Sequence, residues 1–174
     1  ERHERMLARV EAIVAAHDDL VLCRTSSQVR AAKQQGKIAA LLAIEGANCL
    51  DGDPEAVDAF AERGVRLMQL THFFANGIAD GTEGWRRPHG GITPLGVEVV
   101  RRMNATGMVV DAAHMTDVGI AQLARICRAP FLSSHTGVRG LRDRQRNLSD
   151  ASIDLIAASG GLVGIVLFPP YLAK

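Results

Sequence analysis

This sequence has no large excess of either positive or negative charge, and it contains few cysteines. The 174 residues include 20 basic and 19 acidic side chains, for a net charge of +1. This balance gives no reason to expect a nucleic acid or an anionic membrane as a partner. The three cysteines, Cys23, Cys49 and Cys127, are widely spaced and form no CxxC motif. Their odd number favours reduced thiols in a core over a disulfide framework or a zinc knuckle.

Long apolar runs and the common phosphate-binding loops are also missing. The longest apolar candidate, residues 161–169, has the length of a strand and is far shorter than the roughly 18 residues of a membrane span. No glycine-rich phosphate loop, sequence repeat or low-complexity tract occurs. No signal peptide opens the chain. The first residue, Glu1, already lies in a helical pattern, so we expect the sequence to begin at a cut within a longer protein.

Apolar runs alternate with helical patterns along the whole chain. Apolar residues make up 47% and charged residues 22% of the sequence, which is ordinary for a globular domain with a sizeable core. Helices are predicted at residues 1–16, 26–35 (capped by Ser26 or Ser27), 54–63, 94–106, 117–128 and 149–160. Strands are predicted at residues 20–23, 38–44, 65–70, 108–111, 130–134 and 162–168. Five or six strands alternating with helices predict βαβ units and a parallel sheet.

Four consecutive predicted strands end in a residue that can bind a metal ion or a substrate. These residues are Glu45, His72, His114 and His135. In a parallel barrel the carboxyl ends of all strands lie on one face, where active sites form. Two histidines and a carboxylate are a common ligand set for a hydrolytic ion such as Zn²⁺. One histidine after a strand is more often a surface residue, but no packing requirement places an ionisable group at every strand end. The pattern therefore favours a metal or catalytic site.

Several motifs resemble the membrane dipeptidase family, also called renal dipeptidase-like or M19 peptidases. The resemblance covers almost the whole chain, and the spacing between the motifs agrees with the family pattern. The motifs are Gly36-Lys37 through Ile44-Glu45-Gly46, Leu70-Thr71-His72, Gly91-Ile92-Thr93-Pro94-Leu95-Gly96, Gly107-Met108-Val109-Val110-Asp111 through His114, Ser133-Ser134-His135 and Arg146-Asn147.

The resemblance implies a hydrolase with two zinc ions that cleaves dipeptides through a metal-activated water. Glu45 then corresponds to the carboxylate that bridges the two metals, and His114 and His135 to the histidines of one metal. His72 corresponds to the histidine that contacts the tetrahedral intermediate, and Arg146 to the arginine that binds the substrate carboxylate. The residue types suit these roles, because a carboxylate offers one oxygen to each metal and a guanidinium offers a planar fork to a terminal carboxylate.

Two elements of the family pattern are missing, so we expect a single partial domain over residues 1–174. The family's first barrel strand carries a His-x-Asp pair for the second metal. Here the formal match, His17-Asp18-Asp19, falls at a helix end, and we interpret it as a turn. The catalytic Asp of a late strand is also missing. A full (β/α)8 TIM barrel needs about 250 residues. The expected fold is therefore an incomplete α/β barrel of the metal-dependent hydrolase type, an internal fragment with its second metal site incomplete and its activity uncertain.

Other polar residues have weaker patterns. Asp111 is predicted either to orient a metal ligand or to make structural hydrogen bonds, and His89 to lie on the surface. Trp85 is predicted either to line a substrate cleft or to pack. A further set of basic residues surrounds Arg146 and is predicted to be a solvated cationic stretch: Arg139, Arg142 and Arg144.

Two alternatives to a dipeptidase remain at this stage. Another barrel metallohydrolase, acting on cyclic amides or phosphoesters, ranks lower because such enzymes typically use a modified lysine as the bridge and no strand here ends in Lys. A non-catalytic fragment that serves as a binding or oligomerisation module is the other alternative. The open sheet edges of a partial barrel favour association, so a homodimer is a possible state. Family members occur both outside and inside cells, and the lack of a signal peptide favours a bacterial-type cytoplasmic location.

Overall fold

The computed structural model describes residues 2–172, which contain seven strands and seven α-helices. The strands are β1 (Leu20–Leu22), β2 (Ile38–Ala40), β3 (Leu42–Ile44), β4 (Val65–Gln69), β5 (Val109–Asp111), β6 (Ser133–Thr136) and β7 (Val163–Ile165). The helices are α1 (Arg2–Ala15), α2 (Ser26–Gln34), α3 (Ala56–Glu62), α4 (Pro94–Thr106), α5 (Asp117–Ile126), α6 (Asp150–Ala158) and α7 (Pro169–Leu172), and a short 3-10 helix covers Ala47–Leu50. The predicted start of the first helix at Glu1 lies outside the described residues.

Every pairing between the named strands is parallel, as the alternating pattern predicts. β1 pairs with β2, β3 with β4, β4 with β5, and β6 with β7. Backbone hydrogen bonds of Leu132 with Val110 and Ala112 join β5 to the segment that leads into β6. The strands therefore follow one another in chain order, and each carboxyl end lies next to that of its neighbour. This confirms the α/β class and its parallel sheet.

The prediction of one continuous strand at residues 38–44 is wrong. It is divided at Leu41 into β2, which pairs with β1, and β3, which pairs with β4. The two halves are also less buried than an unbroken apolar run suggests, because Ile38 and Leu41 are 59% and 50% exposed. Because of this division the described residues contain seven strands. The first half of the segment 38–44 pairs with β1 and the second half pairs with β4.

Local capping explains where several helices begin and end. Thr93 caps α4 through a hydrogen bond from the Gly96 amide, Pro94 occupies its first turn, and Gly107 ends it with φ 73°. Ser149 caps α6 as its position predicts. The predicted cap of α2 is one residue off, because Thr25 rather than Ser26 or Ser27 makes the capping interaction, in a reciprocal pair with Gln28.

The core lies between the sheet and the helices that cover it. It contains Met68 from β4, Val100 from α4, Leu123 from α5 and Ile156 from α6, all fully buried. The last predicted strand is much shorter than expected, since β7 covers three residues and Leu167 beyond it is exposed. Among the described residues, no helix has the length and apolarity needed to cross a membrane.

Candidate metal centre

Glu45 lies at the centre of a group of three histidines. It follows β3 directly, and its Oε1 atom is 3.4 Å from Nε2 of His72, 3.6 Å from Nε2 of His114 and 3.4 Å from Nε2 of His135. The four side chains come from the ends of four neighbouring strands, so the parallel topology brings residues 90 positions apart into contact, as the strand-end pattern predicts.

His72 is held against this group by a close backbone approach. Gly46 has φ 83°, a conformation that L side chains rarely adopt, and a Cβ atom added there would lie 2.9 Å from Cβ of His72. The glycine after Glu45 therefore serves two purposes, since it turns the chain out of β3 and leaves room for the His72 side chain. The His72 ring packs edge-on against the ring of His114, with 4.8 Å between the ring centroids.

His114 is the most buried of the three histidines, with 4% of its surface exposed. Its backbone is left-handed, with φ 69°, which is uncommon for a residue other than glycine. The amide of Phe73 donates to its Nδ1 atom at 3.3 Å. Burial, and then the nearby positive charge of Arg146, lower the pKa of His114 to about 3. The ring is therefore neutral at physiological pH, which is the form that binds metal ions.

His135 lies within β6 rather than after a strand end, because the strand extends to Thr136. Its Nδ1 atom is 2.8 Å from the Ser134 hydroxyl and 3.4 Å from the Gln69 amide, while its Nε2 atom lies 3.1 Å from Nε2 of His114. Burial and the charge of Arg146 lower the pKa of His135, against the opposing effect of Glu45. Both rings thus favour the neutral state.

Two sets of three residues have ligand atoms close enough together to share one metal ion. Glu45, His72 and His114 have ligand atoms that all lie within 4.8 Å of one another. His135, predicted as a ligand with Glu45 and His114, is equally close to those two residues. His72, predicted as a substrate contact, is as near to Glu45 as His135 is. The geometry places three imidazoles around one carboxylate, which makes four candidate donors in all.

Arg146 lies behind His135. It is 3% exposed, and its Nη2 atom donates to the backbone oxygen of His135 at 2.6 Å. Its Nε atom is buried without a hydrogen-bond partner among the described residues, and its guanidinium group faces the Tyr171 ring at 5.8 Å. Burial lowers the pKa of Arg146, although a guanidinium stays charged at neutral pH. A buried cation with an unused donor suits the recognition of an anionic group.

One of the basic residues around Arg146, Arg139, is structural rather than part of a solvated cationic stretch. Arg139 pairs with Asp117 and donates to the backbone oxygen of Asn147, so the prediction for Arg139 is wrong. Asn147, to which the sequence assigned no role, donates to the backbone oxygens of Arg142 and Tyr171. These contacts hold the loop that presents Arg146.

Asp111 makes the structural hydrogen bonds that were one of its two predicted roles. Its Oδ1 atom accepts from the amides of Ala113 and Ser134, at 2.9 and 3.0 Å. These bonds fix the backbone just before His114 and next to His135. Gln69 and Ser134, which contact His135 directly, were missed from the sequence because nothing in a strand pattern distinguishes a polar residue that faces a ligand from one that faces solvent.

The predictions for three other polar sites have different outcomes. His89 lies on the surface as predicted, with its Nε2 atom 2.8 Å from the Asn76 backbone oxygen. Trp85 is 93% exposed, so its predicted packing role is wrong; it borders a shallow cavity of about 270 Å³ with Phe74. The segment His17-Asp18-Asp19 forms the turn after α1, as we interpreted it.

A carboxylate surrounded by imidazoles at the carboxyl ends of parallel strands is the arrangement of metal-dependent hydrolases. The comparison with known families agrees: the model of the membrane dipeptidase family, peptidase family M19, matches residues 1–174. The chain belongs to this family.

Several relatives in sequence and in structure have dipeptidase in their names. Dipeptidase verJ of Clonostachys rogersoniana is 34% identical over 145 residues, covering 83% of this chain and 37% of the relative. Mouse dipeptidase 3 is 31% identical over 135 residues, covering 75% of this chain and 27% of the relative. The crystal structure of the probable dipeptidase PvdM from Pseudomonas aeruginosa superposes with a TM-score of 0.93 at 30% identity, covering 99% of this chain and 46% of that one. The chain thus spans less than half the length of these relatives.

Proposed function

We propose that this chain forms the metal-binding half of a zinc-dependent dipeptidase. The observation that carries the proposal is the position of Glu45 Oε1, within 3.6 Å of an imidazole nitrogen from each of three histidines. Membership of the M19 family supports the reaction, and the names of the relatives support a dipeptide as substrate. Among the described residues this site is the one that combines convergent donors from several strands.

The residues fit a divalent metal ion with imidazole and carboxylate ligands. His114 is buried and 32% of the His135 side chain is exposed, but both rings favour the neutral form, so neither has to lose the proton of a charged ring before it donates to a metal. Glu45 has an exposed carboxylate that can offer one oxygen to each of two ions. We propose Glu45, His114 and His135 as ligands, and zinc as the metal because nitrogen-rich sets with one carboxylate suit it. When bound, such an ion supplies Lewis-acid activation of water and of the peptide carbonyl.

The remaining side chains of the site position the substrate. We propose that His72 donates a hydrogen bond to the oxygen that becomes negatively charged during attack on the peptide carbonyl. Arg146 binds the free carboxylate of the substrate with its unused donor. Because the guanidinium group contacts the backbone oxygen of His135, its charge lies close to the proposed metal ligands, and this closeness supports a short peptide as the substrate.

We further propose that the seven strands belong to a (β/α)8 barrel that this chain builds in part. Two apolar residues of the strand region, Leu41 before β3 and Ile165 in β7, are each about half exposed. An apolar cavity of about 790 Å³ separates α1 from the segment 41–46 and reaches Glu45. Further strands placed there would cover these faces and bring ligands for a second metal.

Metal titration with a matched pair of variants tests the proposed function. Glu45→Gln keeps the shape of the side chain and removes the charge, whereas Glu62→Gln makes the same change at an exposed position on α3. We expect Glu45→Gln to weaken Co²⁺ or Zn²⁺ binding by about tenfold or more and to abolish any dipeptide hydrolysis. The Glu62→Gln variant should match the wild type. Equal metal content and activity in both variants would overturn the proposal.

A further inference from the structure

Phe73, the residue after His72, has a backbone conformation that is rare for an aromatic residue. Its φ is 59°, in the left-handed region that favours glycine. The Phe74 amide donates to the His72 backbone oxygen at 2.8 Å, so Phe73 is the central residue of a three-residue γ-turn. A γ-turn with a positive φ at its centre is rare and strained. Strain of this kind persists where the surrounding structure fixes it, and it is concentrated at functional sites.

The loop at residues 79–84 holds the strained turn in place. The Glu83 amide donates to the Phe73 backbone oxygen at 2.7 Å. Gly81 lies directly against the same oxygen, because a Cβ atom added to Gly81 would overlap with it. The fold therefore fixes the turn, and the Phe73 side chain starts from a fixed point beside the metal centre.

The Phe73 ring packs against the His72 imidazole. The centroids of the two rings are 4.0 Å apart and their planes are tilted by 34°. The His114 ring meets His72 edge-on at 4.8 Å, and it lies 5.0 Å from the Phe73 ring, so the three rings are in mutual contact. Nε2 of His72 lies 3.4 Å from Oε1 of Glu45, but no hydrogen bond from another described residue holds the His72 ring. Packing against two rings therefore sets its orientation.

We infer that Phe73 is a positioning residue whose ring holds the His72 imidazole beside Glu45. The inference rests on the proposed function, in which His72 donates to the oxygen that becomes negatively charged, and it adds how this donor is kept in place. Such a donor has to be in position before the charge develops, because a small displacement weakens the stabilisation of the transition state. Glycine or asparagine would form the turn with less strain, but neither offers a ring to the imidazole. The ring contact explains why an aromatic residue occupies this φ.

NMR spectroscopy of the metal-free protein tests the positioning without any activity. We expect a nuclear Overhauser effect between the ring protons of His72 and His114 in the wild type, because the two rings are in contact. Phe73→Leu retains the backbone amide that donates to His114 and removes only the aromatic ring, so this signal should be lost. Phe73→Tyr keeps the ring and should keep the signal.

Phe74→Leu is the matched control for this experiment. It makes the same change one residue later, at a side chain that is 63% exposed and whose ring lies 6.4 Å from that of Phe73. The signal between His72 and His114 should be unchanged in this variant. A signal that persists undiminished in Phe73→Leu, or that is absent from the wild type, overturns the inference.

Binding of a phosphinate mimic of a dipeptide tests the consequence for the charged oxygen. The tetrahedral phosphinate carries negative charge where attack on the peptide carbonyl would create it. In the zinc-loaded protein, calorimetry should give about tenfold weaker binding for Phe73→Leu than for the wild type. Phe73→Tyr and Phe74→Leu should bind as the wild type does. In the background of His72→Asn, the change Phe73→Leu should have no further effect, because it acts through His72.

Zinc affinity, measured by competition with a chelator, separates this inference from the proposed function. We expect Phe73→Leu to bind zinc as the wild type does. If the wild type binds zinc and the phosphinate, and Phe73→Leu binds the phosphinate equally well, the inference fails while the metal site stands. A matching loss of zinc affinity in Phe73→Leu, or an undiminished effect in the His72→Asn background, would show that Phe73 acts by another route and would also overturn it. If NMR shows the expected ring contacts but the wild type binds no zinc, the positioning of His72 stands and the proposed function fails.

Discussion

The Nε2 atoms of His114 and His135 lie 3.1 Å apart, at the ends of adjacent strand regions and on the same side of Glu45. Two protonated rings at this distance would repel one another, and the buried cation of Arg146 adds to that repulsion. The pair is consequently held neutral, and neutral rings have the unprotonated nitrogen that a metal ion needs as a ligand.

The stability of the metal-free protein should fall as the pH decreases from 7 to 4. The pKa of His114 is lowered from 6.5 to about 3 in the folded state, so the unfolded chain binds this proton more tightly. The contribution of the neutral His114 ring to the free energy of unfolding is fully present above pH 6.5 and is lost progressively as the pH approaches 3. Urea unfolding in the presence of a chelator should show a loss of roughly a few kcal/mol across this window. The variant His114→Asn should give a shallower dependence, and His17→Asn, at the exposed turn after α1, an unchanged one.

Gly46→Ala should disturb the metal centre, whereas Gly52→Ala should not. The two glycines have nearly the same φ, 83° and 82°, so alanine strains the backbone at both positions. The difference is that a Cβ atom at position 46 meets Cβ of His72 at 2.9 Å, while position 52 has open space. Both variants should lose about 1 kcal/mol or more in the free energy of unfolding. Weaker zinc binding and slower dipeptide hydrolysis are expected for Gly46→Ala alone, and equal effects in both variants would contradict the role of this contact.

Asp117→Ala should destabilise the fold without affecting the metal site directly. The Asp117 carboxylate accepts from the hydroxyls of Ser149 and Ser152, at 2.8 and 2.6 Å, and pairs with Arg139. It therefore ties the start of α5 to the start of α6 and to the loop after β6. Loss of these charge-assisted bonds should cost about 2 kcal/mol in denaturant unfolding. The matched change Asp154→Ala, at an exposed position on α6, should cost much less.

Arg146→Lys should reduce the preference for a free carboxylate. On the zinc-loaded protein, calorimetry would compare the binding of a dipeptide with that of the same dipeptide amidated at its C-terminus. We expect the wild type to favour the free acid by about tenfold or more, because a charge-assisted pair is stronger than a neutral bond. A lysine lacks the planar fork, so the ratio should approach one. A ratio that stays at the wild-type value would show that Arg146 does not recognise the carboxylate.

The convergence of the site could be predicted because it depends on topology alone. Apolar runs and helical patterns identify parallel strands, and parallel strands place Glu45, His114 and His135 at one edge whatever the details of packing. The caps at Thr93 and Ser149 were predictable for a similar reason, since each depends on a few adjacent residues.

The features that could not be predicted depend on contacts between segments that are far apart in the sequence. The break at Leu41 arises because the segment pairs with β1 on one side and β4 on the other, and an apolar run looks the same with or without such a change. The contacts of Gln69 with Ser134 and His135 span 65 and 66 residues, so no local pattern carries them. Arg139 resembled its solvated neighbours in sequence, yet Asp117 on α5 makes it structural.

The left-handed backbone of His114 means that position 114 serves two demands that no single residue type satisfies best. Glycine and asparagine adopt this φ at little cost, while the imidazole is required only for binding. A library with all 20 amino acids at position 114, sorted once for protein abundance and once for zinc binding, should therefore be enriched in a different residue type in each sort. Enrichment of glycine or asparagine in the first sort and of histidine in the second would show that histidine at position 114 lowers the stability of the fold and is kept for zinc binding.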